Sequence, residues 1–429
     1  MADARAFEEA AGRTRSTRAT ILLSFGLVAN LAALMTFAAT LNEIAADWSL
    51  DASHSGWIGG IYFAGYAISV PFLSSATDRM DARWQYVGSA VLGAAASLTF
   101  ALFADGFILA MILRFLGGIG LAGVHMPGLN LLMDRSDRSV QGRAAGIYTS
   151  SYAAGSAGSF LIAGLVDAAF GWRATFIVAG IGPLLSICAL GLLPAPGTRR
   201  IFAERPPPFR ALLRNRALID YVAAFAGNTW EVFAVRVWFV AYLAWLLRLP
   251  GNYIPLPPLG LVSGLASLAG VPVSMVMAEI AVRRGRRPVV IGICLVSVAI
   301  CLALAATAGG SIGIVLPLVV LVQITSFADV GALAGGAVAA ADPTQRGAAL
   351  ALYALAGGAV AAADPAQRGA SLALYALSGF TTGFLGQVAV GTVLDWFGGT
   401  ASAPGWMAGF TLIALGSTAA ALAVWWAPD

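Results

Sequence analysis

Twelve long apolar stretches constrain this chain more than any other feature. They run near residues 19–41, 55–77, 84–104, 106–131, 142–166, 173–193, 218–247, 257–281, 288–308, 311–341, 369–394 and 405–427. A helix of about 20 apolar residues matches the hydrocarbon thickness of a bilayer. Each stretch is predicted to be a helix, because a helix satisfies its own backbone hydrogen bonds in lipid. The chain is 59% hydrophobic and only 11% charged, against roughly 25% charged residues in a soluble domain. The expected fold class is an all-α membrane protein with twelve transmembrane helices.

Arginine placement sets the orientation. Every basic residue is Arg, and 21 of the 25 fall in segments that face one side if the N-terminus is cytoplasmic. Of the other four, Arg114 and Arg236 lie inside helices, and Arg173 and Arg248 fall on the opposite side. This is the positive-inside pattern, and it predicts both termini in the cytoplasm. The net charge of +4 is then a matter of topology, and no nucleic-acid partner is expected. The polar N-terminal stretch "MADARAFEEAAGRTRSTR" does not read as a cleavable signal peptide. Cys188, Cys294 and Cys301 sit in apolar stretches without metal or disulfide spacing. The Pro- and Arg-rich interruption at 194–217 divides the chain into an N-terminal six-helix bundle (1–193), a cytoplasmic linker (194–217) and a C-terminal six-helix bundle (218–429).

The two halves echo each other. "DAAFGWRATF" (167–176) follows the fifth crossing and "DWFGGTASAPGWMAGF" (395–410) follows the eleventh. Each has an acid closing the helix, then Gly-Trp, then Phe four residues after the Trp. Arg-rich loops likewise follow the second and eighth crossings. Internal repeats around a central site characterise secondary transporters. The Trp residues at 48, 57, 172 and 406 fall at the outer edges, where interfacial anchors are expected.

With these features the sequence resembles the major facilitator superfamily over essentially its whole length. "SSATDRMDARW" (74–84) matches the family's loop motif at Asp78, Arg79 and Arg83, with Ser74 and Asp81 where the family usually has Gly. "RFLGGIGLAG" (114–123) resembles its helix-four motif, and "FGWR" (170–173) is also common in it. The glycines of "YAAGSAGSFLIAG" (152–164) lack the Pro of the antiporter motif. The resemblance implies two pseudo-symmetric six-helix bundles that rock around a central cavity, with Asp78, Arg79 and Arg83 in a gating loop. It also implies that Arg114 influences the central site or proton coupling, and that Asp78 sits against the start of the eleventh helix.

Ionisable groups at bilayer depth are expensive and mark function by default. Arg114 and His125 are eleven residues apart, about three turns, so they share a face of the fourth helix. That face is Gly-rich and open to close approach. His125 reads first as a hydrogen-bonded packing residue near Pro127. In the seventh crossing Asn228 and Glu231 share a face, and Glu231 is placed to take up and release a proton as access alternates. The alternative is a structural ion pair. Arg236 is about 140° round the helix from Glu231 and is expected to face another helix. Asp329 is a second proton candidate. Asn30, Gln323 and Gln387 are positioned either for substrate or for helix–helix hydrogen bonds. Glu43 and Glu279 read as edge residues.

The junction before the eleventh helix is written twice. "GGAVAAADPTQRGAALALYALA" (335–356) is followed by "GGAVAAADPAQRGASLALYALS" (357–378), identical at all but three positions. "ADP" reads as a helix stop and restart. A thirteenth crossing would turn the 395–410 loop to the cytoplasm, against its echo at 167–176. The unit is therefore expected to be a topologically neutral cytoplasmic insertion.

The functional expectation is a secondary active transporter in the cell membrane, a bacterial inner membrane, working as a monomer. Its partners are lipid, a small solute and protons. Two intramembrane arginines favour uptake of an organic anion. The alternatives are efflux of a drug or metabolite, or a carrier-like sensor that does not transport. With no nucleophile–base pair and no metal cluster in the sequence, neither an enzyme nor a cofactor is expected.

Overall fold

The computed structural model describes residues 2–76, 80–137, 140–194, 216–333 and 368–426. These residues form helices and connecting turns, with no strand among them. The first crossing is broken: α1 (Ala2–Asn30) passes through a 3₁₀ turn (Leu31–Ala33) into α2 (Thr36–Asp47). The remaining helices are α3 (Ala52–Ala76), α4 (Ala82–Phe103), α5 (Phe107–Met133), α6 (Gln141–Gly191), α7 (Arg216–Leu246), α8 (Leu259–Arg284), α9 (Arg286–Ala306), α10 (Ile312–Ala328), α11 (Arg368–Trp396) and α12 (Ala403–Trp426).

Eleven elements among the described residues are long and apolar enough to cross a membrane. One of them, α6, has 51 residues. A straight helix of that length would be about 77 Å long, more than twice the hydrocarbon thickness. It bends at Gly171, whose φ of 77° and ψ of 173° leave the helical region. Such a φ is open to glycine and costly for residues with a Cβ. The two legs of α6 are the fifth and sixth crossings, so the described residues make the twelve expected.

Within the N-terminal half, α1 packs on α6, and α4 on α5 and α6. Within the C-terminal half, α7 packs on α11 and α12, and α9 on α12. The halves join where α3 meets α11, where α6 meets α8 and where α2 meets α7. Large apolar side chains such as Phe72, Leu102, Met275, Leu295 and Leu415 point outward, as lipid-facing residues do. The "GGIG" glycines of α5 are covered by two helices: a Cβ on Gly118 would collide with the Tyr62 backbone of α3, and one on Gly120 with Gly93 of α4. These glycines serve close helix packing.

The two Gly-Trp echoes are equivalent in space but are not interfacial anchors. Trp172 and Trp406 are both buried. Trp172 donates its indole N–H to Asp47 and packs edge-on against Trp48 and Phe176. Trp406 donates to the Thr400 carbonyl and packs against Tyr242 and Phe410. Each repeat uses its Trp to staple a loop onto its own bundle.

Candidate functional site

The break between α1 and α2 frees backbone groups in the middle of a lipid-embedded bundle, where each must find a partner. Ser159 of α6 donates to the Ala32 carbonyl at 2.8 Å and accepts from the Met35 N–H at 3.0 Å. Arg114 of α5 donates to the Ala33 and Leu34 carbonyls at 3.1 and 3.4 Å. Its guanidinium lies over the Tyr62 ring, 4.4 Å from the centroid, with Phe37 at 5.8 Å. Arg114 is 4% exposed, and only its Nε lacks a partner.

Arg236 of α7 is 3% exposed and reaches across to the other half. Its Nη1 donates to Ser156 Oγ of α6 at 2.7 Å. One face of the guanidinium covers the Phe327 ring at 4.1 Å. Its Nε and Nη2 have no hydrogen-bond partner. Ser156 stands one turn from Tyr152, whose buried hydroxyl is also unpartnered. The Tyr152 ring stacks on His125 at 5.0 Å. His125 Nδ1 shares a 2.8 Å hydrogen bond with the Tyr66 hydroxyl, and its carbonyl accepts from Tyr148 at 2.9 Å. Tyr66 in turn packs on Phe380 of α11, and Phe63 of α3 packs on Phe233 of α7. An aromatic band therefore crosses between the halves, with a guanidinium near each end.

The acids lie elsewhere. Glu231 is 2% exposed and accepts from Ser297 of α9 and Ser417 of α12, so it faces the interior of the C-terminal bundle. Asp329, 3% exposed at the end of α10, accepts from Asn228 Nδ2 at 2.7 Å, and Cys294 Sγ lies 3.7 Å away. The ion pairs among the described residues are Arg15–Asp137, His54–Asp51 and Arg283–Glu279, on part-exposed or exposed side chains. Arg114, Arg236, Glu231 and Asp329 take part in none of them. The sequence placed Asn228 and Glu231 on one face, and here Asn228 bonds Asp329 and the Ser326 carbonyl of α10 while Glu231 meets Ser297 and Ser417.

The amides mostly hold helices together. Asn30 donates to Ser186 Oγ at 3.1 Å, and Gln323 of α10 donates to Ser263 and Ser267 of α8. Gln387 donates along its own helix to Gly383 and leaves its Oε1 unpartnered. Asp78 and Arg79 of the gating loop lie outside the described residues, as does most of the doubled unit at 335–378. Arg83 is described, and its N–H is capped by Asp81 at 2.9 Å. The acid that stands in place of the family glycine thus serves as the N-cap of α4.

At the end predicted to face outside, the halves are clasped. Asp395 of α11 accepts from the Ala52 and Ser53 N–H groups at 3.0 and 2.7 Å, and from Ser53 Oγ at 2.5 Å. At the separate interface between α6 and α8, Gly164 lies against Gly260. A cavity of about 430 Å³ opens there, lined by Asn42, Glu43, Asp167, Val240 and Leu259 among others.

Sequence reading missed Tyr62, Tyr66, Tyr152, Ser156 and Phe327. A signal was present: Tyr62 and Tyr66, then Tyr148, Tyr152 and Ser156, recur every four residues and stripe one helix face in apolar surroundings.

A twelve-helix, two-half membrane fold with buried charge between the halves defines a carrier architecture. The family model of the Major Facilitator Superfamily matches residues 23–363, and the chain belongs to that family. It is 27% identical over 141 residues to the niacin transporter NiaP of Acinetobacter baylyi, covering 33% of this chain and 32% of that protein. It is 26% identical over 236 residues to the cis,cis-muconate transport protein of the same organism, covering 51% of this chain and 55% of that protein. The matched stretches thus span about a third to just over half of these relatives. In fold it is similar to a bacterial homolog of the human lysosomal transporter Spinster, crystallised inward-facing and occupied. The TM-score is 0.75 at 14% identity, over 96% of this chain and 97% of that one.

Proposed function

We propose that this chain is a proton-coupled importer of small organic acids. It works as a monomer in the bacterial cell membrane, with both termini cytoplasmic, and alternates access by rocking its two halves. The observation that carries this reading is the pair of buried arginines, Arg114 and Arg236. Arg236 spans the junction of the halves and Arg114 lies within the N-terminal half, each among aromatic rings, and neither meets an acid among the described residues. A buried cation left without an anion is costly, and a carboxylate substrate relieves that cost. The relatives named for niacin and cis,cis-muconate support the class, since each of those compounds carries a carboxylate conjugated to a flat π-system.

Proton coupling rests on Glu231 and Asp329. Their partners are hydroxyl, amide and thiol groups. Acids in such a setting are suited to carrying a proton. A proton that moves with a monoanion makes the step electrically neutral, so an inward proton gradient can drive accumulation. The clasp at Asp395 closes the outer end in the state described here.

The test is uptake of labelled nicotinate by proteoliposomes under an imposed inward proton gradient. Accumulation that collapses with a protonophore supports the reading. Glu231→Gln and Asp329→Asn are expected to lose gradient-driven accumulation while keeping substrate exchange. Transport out of the proton-accepting compartment would instead establish efflux. Failure of nicotinate, benzoate and cis,cis-muconate all to cross would sink the organic-acid assignment.

A further inference from the structure

Resting on the organic-acid reading, the geometry points to Arg236, and not Arg114, as the residue that holds the substrate carboxylate. We infer that it does so through the Nε–Nη2 edge of its guanidinium, with the acid's flat π-system carried by the neighbouring aromatic rings. The two arginines differ in what they have left to offer. Arg114 spends Nη1 and Nη2 on the Ala33 and Leu34 carbonyls, which the break in the first crossing exposes. Only Nε is wholly without a partner, so every edge of this guanidinium includes a terminal nitrogen already held by the backbone. Arg114 is thereby committed to holding the broken helix.

Arg236 spends only Nη1, on Ser156. Its Nε and Nη2 are buried without partners. Those two nitrogens carry the parallel N–H bonds that match the two oxygens of a carboxylate. Phe327 covers one face of the guanidinium, so the open approach is in the plane, along that edge. The unpartnered hydroxyl of Tyr152 stands beside Arg236 as a further donor. The Tyr152–His125 stack continues the aromatic surface away from the charge. The site thus takes a flat monocarboxylate, with its charged end toward α7 and α10 and its π-system toward α3, α5 and α6. Because Arg236 belongs to one half and Ser156 and Tyr152 to the other, a bound acid bridges the halves.

The experiment measures nicotinate binding to the purified full-length protein by thermal shift, with nicotinamide as the neutral analogue of the same shape. The natural protein is expected to shift with nicotinate and not with nicotinamide. Arg236→Lys keeps the charge but loses the paired edge, and its apparent affinity is expected to fall about tenfold to hundredfold. Arg114→Lys is expected to melt lower without ligand and still to shift with nicotinate. In a second measurement, independent of any variant, nicotinate is expected to slow phenylglyoxal modification of Arg236, read by peptide mass spectrometry. Equal nicotinate affinity in the natural protein and Arg236→Lys, or modification of Arg236 that nicotinate does not slow, overturns this assignment alone. A natural protein that shifts with none of nicotinate, benzoate and cis,cis-muconate overturns the organic-acid reading and this inference together.

Discussion

Ser159 satisfies two backbone groups at once, the Ala32 carbonyl and the Met35 N–H. Both belong to the break in the first crossing, where no solvent is at hand to replace the hydroxyl. Ser159→Ala leaves a buried donor and acceptor open, each costing about 1–3 kcal/mol. It is expected to lower the melting temperature in detergent measurably, while a neighbouring exposed change such as Ser151→Ala leaves it unaltered. Arg114 and Arg236 were visible in the sequence because a charge inside an apolar run stands out. Their different duties were not. Arg114 reads against backbone carbonyls that exist as acceptors only because α1 stops at Asn30, and no residue type announces that stop. Glu231 was legible as an intramembrane acid, but its orientation toward Ser297 and Ser417 depends on how α9 and α12 pack.

At the scale of elements, the two repeats are unequal at the end predicted to face outside. Asp395 closes α11 and caps the start of α3 in the other half with three hydrogen bonds. Its echo, Asp167, lies in the 430 Å³ cavity near Glu43 and the start of α8, with Oδ1 unpartnered. Asp395 thus bridges the halves, whereas Asp167 meets Glu43 of its own half. Hydrogen bonds to a charged group are worth about 1.5–3 kcal/mol, so Asp395→Asn is expected to favour outer opening. The check is a cysteine at Val240, beside the cavity, in a background lacking Cys188, Cys294 and Cys301. An impermeant maleimide should label it faster in the Asp395→Asn protein, and an unchanged rate would refute the clasp. The acid–Gly-Trp–Phe pattern identified the equivalent loops from sequence alone. Spacing along the chain did not reveal which acid reaches a partner helix, because that depends on the relative tilt of the halves.

For the molecule as a whole, the twelve crossings among the described residues fit an even count, on which the pairing of the halves rests. Residues 335–356 duplicate 357–378, and removing the first copy leaves one complete junction. That 22-residue deletion is expected to keep both termini on the same side, as read by reporter fusions at each end, and to keep nicotinate uptake. Termini on opposite sides in the intact protein would break the pairing of the halves. The sequence by itself determined the membrane environment, the helix count, the six-and-six division and the family, because each follows from periodicity, composition and local motifs carried along one chain. It also exposed the rare buried charges. Only the tertiary structure decided which of them face one another: Arg236 meets α6 and α10, Arg114 seals a broken helix, and the acids turn into the C-terminal bundle. The physical reason is that a side chain's partner across a helix interface is set by rotation and tilt. A few tens of degrees change that partner while leaving the hydrophobic pattern of the sequence untouched.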